Sequence, residues 1–124
     1  MSDLDLAFLK TWEGRAEEAR DTVTPWLVAA YRATLDLGEA SLEPGAPAPQ
    51  GLHWCLALPT VRTGELGPDG HAARGGFLPP VPLPRRMWAG GRVRFAAALR
   101  IGDAVPRRSP VKRGDLKDGR PARL

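Results

Sequence analysis

The sequence predicts an α+β domain in which an apolar helix is wrapped by an antiparallel sheet. Two observations carry this prediction. Residues 93–101 alternate apolar side chains with basic or small ones at a period of two, which is typical of a strand with one buried face. Residues 25–37 carry apolar side chains at three-to-four spacing, which is typical of a helix. At 124 residues, the chain is expected to form one domain, over residues 1–124.

The helix has clear start and stop signals. Thr24 is a good N-cap, Pro25 suits the first helical position, and Gly38 favours an end after Leu37. A shorter helix is expected near residues 4–11. The apolar side chains of the long helix cover so much of its surface that we expect a sheet around it; they are Trp26, Ala29, Ala30, Ala33 and Leu37, widened by Val28, Tyr31 and Leu35.

The alternating segment is expected to form a hairpin. Gly102-Asp103 is a common turn sequence, and residues 104–113 follow as a second strand. Pro106 and Pro110 have the same parity, so both missing N–H groups point to one side of that strand. The second strand should therefore pair along one edge only, against residues 92–101.

The middle of the chain is expected to be an ordered loop. Residues 44–84 hold nine of the 13 prolines, and only residues 52–58 suit a short strand or a buried turn. The apolar surface of Trp54, Phe77 and several leucines is too large to leave in water. Loops of this length are usually functional.

Charge and composition exclude several classes of protein. Residues 1–43 hold nine acids and four bases, whereas the basic tail from about residue 106 holds seven bases and two acids. That tail has no aromatic side chains to stack on bases, so we expect no nucleic-acid partner. No apolar run of 18 residues and no secretory signal are present, so no membrane partner is expected. The single cysteine, Cys55, is expected to be buried and fits a cytoplasmic location.

Few residues offer chemistry of their own. Asp69 and His71 could act as an acid–base pair, although Asp-Gly-His is more typical of a turn. Arg85 and Arg86 could hold a phosphate, or simply begin a solvated strand. With two histidines and one cysteine, no metal-ligand spacing is present, so no metal site is expected.

Several short motifs together resemble a known family. Trp12-Glu-Gly-Arg15, Leu52-His-Trp54, Gly75-Gly-Phe-Leu-Pro-Pro80 and Pro84-Arg-Arg-Met-Trp-Ala-Gly-Gly91 look like the N-terminal domain of MaoC-like dehydratases. This family includes mesaconyl-CoA and itaconyl-CoA hydratases. The resemblance covers roughly residues 12–120, and the run from Gly75 to Gly91 is its most specific part.

The resemblance implies a hot dog fold, incomplete at the C-terminus, and one half of an acyl-CoA hydratase or dehydratase. In such relatives the catalytic Asp and His come from the second half, so this chain is expected to carry no catalytic residue and to be inactive alone. It implies an acyl-CoA substrate, no other cofactor, and a second hot dog domain or a homodimer as partner. The alternative is a non-catalytic thioester-binding or scaffold module. Six residues are expected to shape the substrate pocket, namely Trp54, Phe77, Met87, Trp88, Gly90 and Gly91.

Overall fold

The computed structural model describes residues 4–117, which contain two helices and two strands. In chain order they are α1 (Leu6–Lys10), β1 (Ala16–Thr22), α2 (Pro25–Thr34) and β2 (Ala104–Pro110). Two 3₁₀ turns, Leu52–Cys55 and Thr63–Glu65, lie in the long central loop. This content confirms the α+β class. The end of the basic tail, residues 118–124, lies outside the described residues.

Helix α2 begins as predicted and ends earlier. The Thr24 side chain accepts a hydrogen bond from the backbone N–H of Leu27, and Pro25 occupies the first turn. The helix stops at Thr34 rather than at Leu37. It cannot continue because Asp36 adopts a left-handed φ of +52°. The Arg32 guanidinium then donates to the backbone carbonyls of residues 37 and 38, 2.9 and 3.0 Å away.

The buried face of α2 differs from the predicted one. Val28 is its one buried residue, and Leu27 and Tyr31 pack beside it against the core. Trp26, predicted to face the core, is 76% exposed. The sequence pattern was ambiguous because nearly every position of the helix is apolar. Contacts with distant segments, which no local pattern reports, decided which side turned inward.

Strand β2 pairs with β1, so the predicted hairpin was wrong. Hydrogen bonds join the Val111 N–H to the Arg15 carbonyl at 2.8 Å and the Val23 N–H to the Asp103 carbonyl at 3.0 Å. The backbone N–H and carbonyl groups of the odd-numbered residues of β2 therefore point toward β1. Pro106 lies on the opposite edge, together with Pro110. The prediction that this strand pairs along one edge is confirmed, with a different partner.

Residues 92–99 do not form the predicted strand. Arg100 makes an isolated antiparallel bridge with Pro47. A strand exists only where another segment completes its hydrogen bonds. One edge of β2 is taken by β1, and the other lacks two N–H groups. The predicted turn does form, since the Asp103 N–H donates to the Arg100 carbonyl at 3.0 Å.

The described residues divide into two compact units. The second unit comprises Glu18–Thr60 and Met87–Arg108 and contains α2. Its core has six buried apolar side chains from the β1–α2 connection, α2, the central loop and the turn before β2. They are Val23, Val28, Ala48, Leu52, Leu56 and Ile101. Cys55 lies beside this core and is half-buried, so its predicted full burial was wrong.

The first unit comprises residues 4–17, Val61–Arg86 and residues 109–117. Its most buried side chain is Trp12. The indole Nε1–H donates to the Gly76 carbonyl at 2.9 Å, and the Arg15 guanidinium lies 4.1 Å from the ring centroid. Within residues 4–117, no helix has the length and apolarity needed to cross a bilayer.

Candidate functional site

The second unit contains an apolar groove of about 410 Å³. Residues 48–51 and His53 form the first wall, residues 93–99 form the second wall, and Val105 also lines the space. We call this space the groove. Among its lining residues, His53 and Arg94 are the two with ionisable side chains, and no carboxylate lines it. Apolar walls with few polar groups are typical of small-molecule sites.

Backbone hydrogen bonds fix the two walls at one end of the groove. The Ala48 N–H donates to the Leu99 carbonyl at 2.7 Å. The Ile101 N–H donates to the Ala46 carbonyl at 2.9 Å, next to the Pro47–Arg100 bridge. These bonds hold the irregular segment of residues 93–99 against the wall formed by residues 48–51. The position of that wall is set in turn by the core.

Gly51 shapes the other end of the first wall. It adopts a φ of +94°, which favours glycine, and a Cβ atom there would collide with the Tyr31 hydroxyl. That hydroxyl donates to the Gln50 carbonyl at 3.1 Å. The fully buried side chain of Leu52 follows directly. Helix α2 therefore positions this wall of the groove through Tyr31. The Tyr31 hydroxyl can reach the wall because residue 51 is a glycine.

Aromatic rings from both walls meet at His53. Its ring lies 5.7 Å from that of Phe95 in an edge-to-face arrangement and 4.4 Å from that of Trp54. Such contacts orient the imidazole and link the two walls. His53 therefore belongs to the lining of the groove.

The Asp69–His71 pair lies in the first unit and on the protein surface. The His71 Nδ1 is 3.4 Å from the Asp69 Oδ2, and the Arg86 Nε is 3.5 Å from the same oxygen. The His71 backbone N–H, donating to Asp69, lowers the pKa of that carboxyl, with smaller contributions from Arg86 and the imidazole. The Gly70 N–H closes a turn onto the Gly67 carbonyl at 3.0 Å. The turn interpretation is therefore confirmed.

The six residues expected to shape a pocket have different surroundings. Phe77 belongs to the first unit and the other five to the second. The Trp54 ring lies beside that of His53 at a tilt of 34°, whereas Met87 is 83% exposed. The structure brings two together: the Trp88 ring covers Gly91, where a Cβ would lie 2.8 Å from it. At Gly90, a Cβ would meet open space.

Two groove residues were missed at the sequence level. Gly51 precedes the Leu52-His-Trp54 motif, and a glycine opening a turn was a usable signal. Arg94 is one of the basic positions in the alternation of residues 93–101, and its charge alone does not indicate that it lines a groove. Among the described residues, no cluster of three His, Cys, Asp or Glu side chains is arranged to hold a metal ion.

Comparison with known proteins identifies the family. A family model described as hydroxyacyl-thioester dehydratase type 2 matches residues 51–122, which is more than half of the chain. The chain therefore belongs to this family, and the resemblance to MaoC-like dehydratases is confirmed. The match includes Gly51, His53 and the whole second wall of the groove.

A characterised relative extends the match toward the N-terminus of the chain. Mesaconyl-C(4)-CoA hydratase of Chloroflexus aurantiacus is 39% identical over 109 residues, covering 88% of this chain. The chain spans 39% of the length of that relative. The match therefore covers part of that longer relative.

Proposed function

We propose that this chain is the substrate-binding, N-terminal half of an acyl-CoA hydratase or dehydratase and is inactive by itself. The observation that carries the proposal is the groove. It offers apolar walls for an acyl thioester and no carboxylate among its lining residues. Membership of the dehydratase family supplies the reaction type, and the hydratase relative supports a CoA thioester as substrate.

The reaction needs groups that the groove lacks. In hydration, a base takes a proton from water, the oxygen attacks the β-carbon of the enoyl thioester, and charge moves to the thioester oxygen. The α-carbon then receives a proton. General acid–base catalysis and oxyanion stabilisation both require positioned groups. Among the residues that line the groove, His53 supplies the one imidazole, and no carboxylate accompanies it. We infer that an Asp and His pair from a second half completes the site.

A second hot dog domain, or another copy of the chain, is the proposed partner. The support is the segment before the Gly102-Asp103 turn. Its sequence has the alternation of a strand, and it is exposed in the structure. Met87 and Trp88 are 83% and 84% exposed, and Val93 and Phe95 are 47% and 43% exposed. Apolar surface of this kind marks an interaction site. In the proposed hot dog fold, the partner covers this segment and completes the sheet around α2.

The test compares binding with turnover. Purified chain is titrated with crotonyl-CoA and assayed for its hydration, alone and with a separately produced domain that carries the Asp and His pair. We expect binding by the chain alone and turnover only with the second domain. Phe95→Ala should weaken binding because Phe95 lines the groove, whereas Phe8→Ala, a comparably exposed phenylalanine in the first unit, should not.

Three other outcomes have distinct meanings. Hydration by the chain alone would contradict the proposal that the acid–base groups lie elsewhere. Binding without turnover in either mixture would favour the non-catalytic thioester-binding or scaffold module. Absence of binding would contradict the assignment of the groove.

A further inference from the structure

Arg94 is the one permanently charged residue that lines the groove. Its immediate neighbours on that wall are Val93 and Phe95, followed by three alanines and Leu99. No acidic side chain lines the groove to neutralise the guanidinium. The electrostatic character of the groove is therefore positive on an apolar background.

Most other arginines of the described residues already have partners. Arg86 and Arg108 pair with carboxylates, and Arg32, Arg74 and Arg100 donate to backbone carbonyls. Within residues 4–117, Arg94 makes no ion pair and no hydrogen bond. Its donors are therefore available to a ligand that enters the groove.

A guanidinium beside apolar walls suits an oxyanion. Arginine presents its N–H groups in a planar fork that matches carboxylate or phosphate oxygens, and such charge-assisted bonds are strong. Gln50 and His53 lie on the facing wall and offer additional polar contacts.

We propose that Arg94 recognises an oxyanion of the bound thioester and so determines which ligands the groove accepts. This inference rests on the proposed function, since it assumes a thioester in the groove. The oxyanion is either a carboxylate on the acyl chain or a phosphate of the CoA carrier. Both make the same bidentate contact, and ligand chemistry separates them.

The experiment uses four ligands and two variants of the full chain. Succinyl-CoA and butyryl-CoA have the same chain length and differ in a terminal carboxylate. Their pantetheine counterparts lack the phosphates. Arg94→Gln removes the proposed contact, and Arg92→Gln is the matched control, because both arginines are exposed and only Arg94 lines the groove.

The set of ligands for which Arg94→Gln loses affinity identifies the oxyanion. If it is the acyl carboxylate, Arg94→Gln weakens both succinyl ligands by about tenfold or more and leaves the butyryl ligands unchanged. If it is a phosphate, the variant weakens both CoA ligands similarly and neither pantetheine ligand. Either pattern supports the proposal, provided that Arg92→Gln binds all four as the unmodified chain does.

Two results would overturn the inference, and they have different consequences for the proposed function. Should Arg94→Gln bind every ligand like Arg92→Gln, the role of Arg94 is wrong while the proposed function stands. Should the unmodified chain bind none of the four, the proposed function fails and the inference fails with it. Circular dichroism of both variants establishes that folding is unchanged.

Discussion

Replacing Gly51 with alanine tests how helix α2 positions the groove. The substitution places a methyl group at a φ of +94°, against the Tyr31 hydroxyl. Gly102→Ala is the matched control, because Gly102 has a φ of +95° and open space around its Cβ position. The two variants share backbone strain, and only one of them displaces a side chain.

The structure sets the size of the effect. A left-handed conformation costs a non-glycine residue roughly 1–2 kcal/mol, so the free energy of unfolding falls by this amount in both variants. Gly51→Ala also displaces the hydroxyl from the Gln50 carbonyl, and a net hydrogen bond of this kind contributes about 1 kcal/mol. We therefore expect Gly51→Ala to lower the free energy of unfolding by about 2–3 kcal/mol, about 1 kcal/mol more than Gly102→Ala.

A double-mutant cycle with Tyr31→Phe checks the mechanism by urea denaturation. Tyr31→Phe should cost about 1 kcal/mol in the unmodified chain and almost nothing beside Gly51→Ala, since the hydrogen bond is already lost there. Additive costs would show that the tyrosine and the glycine are not coupled. Equal costs for Gly51→Ala and Gly102→Ala would refute the steric contact altogether.

Three further predictions concern stability. Thr24→Ala should cost about 1 kcal/mol in urea denaturation by removing the N-cap of α2, whereas Thr24→Ser should retain it. Leu52→Ala should cost about 2–5 kcal/mol, because this side chain is fully buried; the exposed Leu58→Ala should change the free energy of unfolding by less than about 0.5 kcal/mol. Hydrogen bonds from the backbone N–H groups of Ala57 and Thr22 lower the pKa of Asp21 below 3.8. Its contribution to stability is therefore complete above that pH and is lost as the pH falls through the folded-state pKa. Asp21→Asn should be less stable than the unmodified chain at neutral pH, and the difference should shrink in acid.

Local signals in the sequence were enough for the features that depend on neighbouring residues. Thr24 and Pro25 define the start of α2 because capping involves residues three positions apart. Gly102-Asp103 forms its turn for the same reason. The short helix near the N-terminus was also predicted from local spacing and is observed as α1.

Features that depend on distant contacts could not be predicted in the same way. Residues 92–101 have the alternation of a strand, but a strand also needs a partner edge, and Pro106 and Pro110 close the available one. β1 was missed because its sequence, AEEARDT, has little apolar alternation; it is a strand because β2 pairs with it.

In the candidate site too, some features depend on neighbouring residues and others depend on distant contacts. The family resemblance led to Trp54 beside the groove, because the family motif includes it. Gly51 and Arg94 acquire their roles from contacts or positions across 19 or more residues of sequence, such as that between Tyr31 and Gln50. Whether the six predicted pocket residues bind substrate stays a prediction.

Hydrogen exchange with and without crotonyl-CoA tests the central claim, that the thioester binds in the groove of the second unit. The account predicts slower exchange of backbone amides in residues 48–53 and 93–99 when ligand is bound. Slower exchange around Asp69 and His71, with no change in those two segments, would contradict it.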